Sequence, residues 1–147
     1  MAETHGNFKF NLKWYYRNSW MHGKVTIITP LYNCSQFLEV TLCSILSQTY
    51  KNWEIIMVDD YSSDNLVLIA QEFLEKDHRI QLIQLDKNSG AAVARNIAIE
   101  AASGRFIAFL DSDDLWHPQK LEKQINFMLE NNHAFSYTAY EKINEEG

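Results

Sequence analysis

Four short apolar runs, separated by stretches with helical periodicity, constrain this chain more than any other feature. The runs cover residues 25–29, 53–58, 80–85 and 105–110. Each is short and rich in β-branched or aromatic residues, which favours strands. A first helix is expected from about residue 36 to 48, with Leu38, Leu42, Ile45 and Leu46 on one face and Ser35 as N-cap. A second is expected over about 64 to 76, with Leu66, Ile69, Ala70 and Phe73 facing inward. A third runs from about 91 to 103 and stops at Gly104, a common residue just past a helix end. A fourth starts at Pro118 and carries Leu121, Ile125, Met128 and Leu129. A fifth strand is expected near 134–137. Strand–helix alternation of this kind gives βαβ units, hence an α/β fold with a mostly parallel sheet and helices on both faces.

With 147 residues the chain suffices for one domain and not for two ordinary ones. A net charge of -6 without a basic stripe argues against a polynucleotide partner and against general attraction to anionic lipid. No apolar run reaches the roughly 18 residues of a membrane span. Cys34 and Cys43 fit neither a disulfide framework nor a zinc spacing, so both are expected as free thiols in a reducing cytoplasm. Residues 1–23 stand outside the strand–helix pattern. Phe8, Phe10, Trp14, Tyr15, Tyr16 and Trp20 are interleaved there with Lys9, Lys13 and Arg17. Lysines and asparagines interrupt these aromatics, so no signal-peptide core forms. The segment reads either as an arm resting on a membrane surface or a partner, or as a packed arm or cloning remnant. The domain proper is expected over 24–147.

Polar and acidic residues follow every expected strand. Pro30, Leu31, Tyr32 and Asn33 follow the first; Asp59, Asp60, Ser62 and Asp64 the second; Asp86, Asn88, Ser89 and Gly90 the third; Asp111, Ser112, Asp113 and Asp114 the fourth. A parallel sheet brings all four loops to one edge, the edge at which open α/β sheets bind ligands. Three carboxylates at Asp111, Asp113 and Asp114 repel one another unless a cation neutralises them. Oxygen ligands suit Mg²⁺ or Mn²⁺, which one or two carboxylates commonly share with substrate phosphates. The competing reading is a solvated acidic turn that caps the fourth helix. Asp59 or Asp60 could accept from a base or ribose, whereas Asp64 suits a helix cap. Tyr32 could stack on a nucleobase or simply pack. Arg95, placed in the first turn of the third helix, opposes the helix dipole, a local conflict that a nearby anion would resolve.

Taken together, Val25-Thr-Ile-Ile-Thr-Pro-Leu-Tyr-Asn33, Glu54-Ile-Ile-Met-Val-Asp-Asp60 with Ser62, Asn88-Ser-Gly90 with Ala94-Arg-Asn96, and Phe109-Leu-Asp-Ser-Asp-Asp114 with Pro118 resemble the family 2 glycosyltransferases. The resemblance spans about residues 24–140. It implies a Rossmann-like sheet of the GT-A type, of which this chain is expected to hold only the N-terminal, nucleotide-sugar-binding part. One departure is Tyr61, where the family often has glycine. The resemblance implies transfer of a sugar, with inversion, from a nucleotide-diphospho-sugar, usually a UDP-sugar, to a hydroxyl of a glycan or glycolipid acceptor. It implies a donor site of Pro30, Tyr32, Asp59, Asp60, Asn88, Gly90, Arg95, Asp111 and Ser112, with Tyr32 on the base and Asp111 on the ribose side. Asp113, with Asp111, would hold Mn²⁺ or Mg²⁺ under the diphosphate. The general base would lie beyond residue 147, so the chain alone is expected to be inactive. Peripheral contact with the inner face of the membrane and self-association through uncovered apolar surface are further expectations.

Other classes fit less well. A nucleotidyltransferase should show a glycine-rich, basic phosphate loop after the first strand, and Pro30 to Asn33 offer none. A dinucleotide-binding dehydrogenase should carry G-x-G-x-x-G, which is absent. A non-catalytic module that binds a nucleotide-sugar or a partner remains the alternative to an enzyme.

Overall fold

Every residue of the first and second apolar runs is buried, because both faces of these strands are covered. In the computed structural model, which describes residues 23–143, they form β1 (Val25–Leu31) and β2 (Trp53–Asp59). β3 (Ile80–Gln84) pairs with β2 and β4 (Phe106–Phe109) pairs with β1, all parallel, giving the order β3-β2-β1-β4. Helices α1 (Ser35–Leu46), α2 (Leu66–Lys76) and α3 (Ala91–Ala101) make the crossovers, and α4 (Lys120–Glu130) follows β4.

Side chains alternate across a strand, so each strand feeds two cores. Val25, Ile27, Leu31, Ile55 and Met57 point to one face, where Leu38, Leu42 and Ile45 of α1, Leu66 and Ala70 of α2, and Leu121 and Ile125 of α4 cover them. Ile28, Ile56 and Val58 point to the other, against Ala94 and Ala98 of α3. Two alanines let α3 lie close to the sheet. Each fully buried Ile or Leu contributes about 1.5–3 kcal/mol, so β1 and β2 anchor the domain.

At the amino ends of the strands, away from the ligand-binding edge, Glu54 is buried opposite Thr26. Its carboxylate accepts from Thr26 Oγ1 at 2.6 Å, Lys24 Nζ at 2.9 Å and the Ser103 N–H at 3.0 Å. Burial pushes the Glu54 carboxyl up, and these donors outweigh it, holding it down at about 2.

Several expected details are corrected. α1 begins at Ser35 itself; Cys34 is the N-cap and makes no side-chain cap bond, and the Ser35 N–H instead donates to Asp64 Oδ2 at 2.8 Å. α3 ends at Ala101, and Gly104 is glycine for another reason. A Cβ there would meet the Thr26 backbone nitrogen at 2.6 Å, so only glycine permits this chain approach. α4 starts at Lys120, and Pro118 sits in the preceding turn, its carbonyl accepting from the Thr49 N–H at 2.8 Å. No fifth strand forms among the described residues. The segment near 134–137 finds no strand partner, and Phe135 and Tyr137 are 77% and 86% exposed. The expected arm over 1–23 lies, save Gly23, outside the described residues.

A candidate nucleotide-sugar site

The strand order reverses direction at β1: β2 and β3 extend to one side of it, β4 to the other. Beyond the carboxyl ends of β1 and β4 the connecting loops diverge, and a cleft opens there. The cleft has a volume of about 430 Å³ and is walled by Pro30, Tyr32, Asp60, Asn88, Gly90, Arg95, Asp111, Ser112 and Asp113, with Leu31 and Ala91. A second hollow of about 360 Å³ adjoins it and shares Arg95 and Asp111, adding Phe109 and Asp114. Volumes in this range suit a small ligand. Nine of the ten residues expected at a donor and metal site thus converge on one cleft.

The tenth, Asp59, does not line it. Its side chain is buried, and Oδ1 accepts the Ser62 N–H at 3.0 Å, closing the turn after β2. Tyr61 in that turn has φ of 65°, the left-handed region that glycine occupies most easily. Asp60, 3% exposed, receives the N–H groups of Ser89 and Gly90, each at 2.7 Å. Gly90 has φ of 90° and ψ of 152°, a conformation essentially confined to glycine, with open space where a Cβ would stand. The glycine is therefore required by backbone geometry: it turns two successive N–H groups onto one carboxylate and opens α3.

Tyr32 is 54% exposed on the wall of the cleft. Its loop is fixed by Asn33, whose N–H donates to Ser62 Oγ at 2.9 Å and whose Oδ1 accepts the Ser63 N–H at 2.9 Å. Asn33 itself has φ of 47°, a conformation asparagine tolerates better than most residues. Asp64 ties the same loops together, accepting from the N–H groups of Ser35 and Leu66. Burial raises the Asp64 carboxyl, but the hydrogen bonds from Ser35 and Leu66 prevail and leave it below its ordinary value. Asp64 thus serves the starts of two helices, α1 as well as the expected α2.

Arg95 is the fifth residue of α3, one position past the expected first turn, and it donates to Asp111 Oδ1 at 2.6 Å. The conflict with the helix dipole is therefore met inside the chain. The loop after β4 is pinned to α1, because Thr41 Oγ1 donates to the carbonyls of Ser112 and Asp114 at 2.9 and 3.2 Å. Burial raises the Asp114 carboxyl, and the negative charges of Asp113 and Asp111 raise it further. Among the described residues no three His, Cys, Asp or Glu side chains stand close enough to hold a metal by themselves. A divalent cation here would have to complete its shell with oxygens of a ligand.

Of the staples of the site, sequence reasoning placed Asn33 and Ser62 at the strand ends without seeing that they tie the loops together, and it passed over Ser63 and Thr41. It also passed over Phe109, 54% exposed at the end of β4. Asn33, directly after a proline-containing strand end, was the readable signal for a left-handed turn.

The model of glycosyl transferase family 2 matches residues 26–147. The chain belongs to glycosyl transferase family 2. Its relatives include the putative teichuronic acid biosynthesis glycosyltransferase TuaG of Bacillus subtilis, 50% identical over 123 residues, covering 84% of this chain and 49% of TuaG. The UDP-Glc:alpha-D-GlcNAc-diphosphoundecaprenol beta-1,3-glucosyltransferase WfgD of Escherichia coli is 52% identical over 120 residues, covering 82% of this chain and 47% of WfgD. Among solved structures, S. aureus TarS 1-349 in complex with UDP-GlcNAc superposes with a TM-score of 0.70 at 31% identity, over 74% of this chain and 32% of that one. The chain thus spans about half the length of these curated relatives. The parallel sheet with helices on both faces is the Rossmann-like arrangement of these family 2, GT-A-type neighbours.

Proposed function

We propose that this chain is the donor-binding part of a glycosyltransferase that transfers a sugar from a UDP-sugar to a hydroxyl of a glycan or glycolipid, with inversion. The observation that carries the reading is the convergence of Tyr32, Asp60, Gly90, Arg95, Asp111 and Asp113 on one cleft at the switch in strand order. Tyr32 offers a ring for the base. The loop that Asp60 holds offers Asn88 and the start of α3 to the ribose and diphosphate. Asp113 and Asp111 fit a hard divalent cation, Mn²⁺ or Mg²⁺, shared with the diphosphate. Such an ion, when bound, neutralises charge on the departing nucleoside diphosphate. The TarS complex with UDP-GlcNAc and the UDP-Glc in the name of WfgD support uridine as the base. That name also supports a lipid-linked acceptor, which would be met at the cytoplasmic face of a membrane. Cys34 and Cys43, both free thiols, agree with a cytoplasmic setting.

Removal of the acceptor proton needs a base within hydrogen-bond reach of the attacking hydroxyl. The carboxylates of the cleft are committed to backbone, to Arg95 or to the cation, and Glu141 is exposed. The base is therefore assigned to chain outside this segment, and residues 1–147 alone bind donor without transferring it. Exposed Phe135, Tyr137 and Tyr140, at 77%, 86% and 84%, favour self-association of the segment.

A thermal-shift screen of UDP, CDP, GDP and ADP with Mn²⁺ tests the reading. UDP is expected to raise the melting temperature most. No shift with UDP or with any UDP-sugar would remove it.

A further inference from the structure

Among the described residues that wall the cleft and its adjoining hollow, Arg95 is the only cation, against Asp60, Asp111, Asp113 and Asp114. It is already engaged: its Nη2 donates to Asp111 Oδ1 at 2.6 Å. Asp60 is engaged too, with both oxygens on backbone N–H groups. A metal ion arriving alone would meet Asp113 and an Asp111 that is neutralised by Arg95, and, among the described residues, no set of three protein ligands. A diphosphate entering the same cleft changes this balance, because its oxygens match the guanidinium fork as a carboxylate does and carry more negative charge.

We propose that Arg95 is a nucleotide-released latch on Asp111, so that the cation is captured together with the diphosphate and not before it. The proposal rests on the donor-binding reading above. In the free protein the guanidinium occupies the carboxylate and places a positive charge beside the cation's position. With a diphosphate in the cleft, Arg95 would turn to its oxygens, and Asp111 would be free to join Asp113 as a ligand for the cation. Both side chains are partly exposed, 36% for Arg95 and 55% for Asp111, so the exchange needs only rotamer changes and no rearrangement of the sheet. Arg95 is here a positioning residue: it acts on the cation through Asp111. Linkage then requires that metal and nucleotide raise each other's affinity by the same factor.

Mn²⁺ binding to the purified protein, followed by the electron paramagnetic resonance signal of the free ion, tests the latch without any turnover. Wild type, Arg95→Met and Arg95→Lys are titrated with Mn²⁺ alone and again with UDP. Arg95→Met is expected to bind Mn²⁺ alone about three- to tenfold more tightly than wild type, since one competing charge and one ion pair are gone. The factor by which UDP tightens Mn²⁺ should shrink in parallel, and Arg95→Lys should stay near wild type. Unfolding curves verify that each variant is folded. If Arg95→Met binds Mn²⁺ alone no better than wild type, the latch is wrong, even where UDP still binds. If wild type does not bind UDP at all, the donor reading fails instead, and the comparison with Mn²⁺ alone still decides whether Arg95 restrains Asp111.

Discussion

Asp60 links the fold to the site, and replacing it separates two consequences of its geometry. Its two oxygens receive the N–H groups of Ser89 and Gly90, both at 2.7 Å, from a side chain only 3% exposed. Hydrogen bonds to a charged group are worth about 1.5–3 kcal/mol each. Asp60→Ala removes both, but Gly90 is exposed, so water can enter and satisfy part of the loss; the expected cost is about 1–3 kcal/mol. Asp60→Asn keeps one acceptor oxygen and turns an NH₂ donor toward the second N–H. It loses one bond and sets donor against donor where the side chain excludes water, for about 2–4 kcal/mol. The isosteric change is therefore expected to harm stability at least as much as the truncation. Urea unfolding measures this, with a lowered midpoint and an unchanged slope. Calorimetry should show weaker UDP binding in both variants, because the loop carrying Asn88 and the start of α3 loosens. An Asp60→Asn protein that unfolds at the wild-type midpoint would refute the staple.

Three further outcomes follow from other parts of the structure. Tyr32→Ala should weaken UDP binding by about 1–3 kcal/mol in calorimetry and Tyr32→Phe should restore most of it; an alanine variant that binds like wild type makes Tyr32 a bystander. Glu54 is held at about 2 when folded against an ordinary 4.5, so its contribution is complete above pH 4.5 and is lost as pH falls through about 2. The stability difference between wild type and Glu54→Gln should accordingly shrink over that interval in acid unfolding curves, and a pH-independent difference contradicts the network. Tyr61→Gly relieves a left-handed residue with φ of 65° and should raise stability by about 1 kcal/mol in urea unfolding, whereas a loss would show that the tyrosine ring contributes more than its backbone costs.

Much of this was legible in the residues, for physical reasons. A strand buried on both faces, such as β2, must read as a continuous apolar run, and its ends must be polar where they meet solvent. The cleft followed from topology: once the strands are parallel, the loops after β1, β2, β3 and β4 share an edge. Helix starts were read less well, because caps depend on partners far away in sequence. Ser35 appeared able to cap α1, yet it is the first residue of the helix, and its N–H is satisfied by Asp64, 29 residues on. Gly104 fitted a helix stop in sequence, while its cause is the neighbouring backbone of β1, which local pattern does not carry. Asp59 and Asp60 were indistinguishable as adjacent carboxylates; strand alternation turned one into the β2–α2 turn and the other toward the cleft. The run near 134–137 had strand composition but no neighbouring edge in the sheet, and a strand exists only as one of a pair.

The central claim is that the carboxylates after β4 hold a cation for a bound nucleoside diphosphate. Calorimetric titration of UDP into the protein, once with Mn²⁺ and once with a chelator, tests it most directly, with Asp113→Ala as the companion. Wild type is expected to bind UDP at least tenfold more tightly with Mn²⁺, a gain of about 1.4 kcal/mol or more, and Asp113→Ala is expected to lose that gain while remaining folded. Equal affinity for UDP with and without the metal, or a gain that survives in Asp113→Ala, would contradict it.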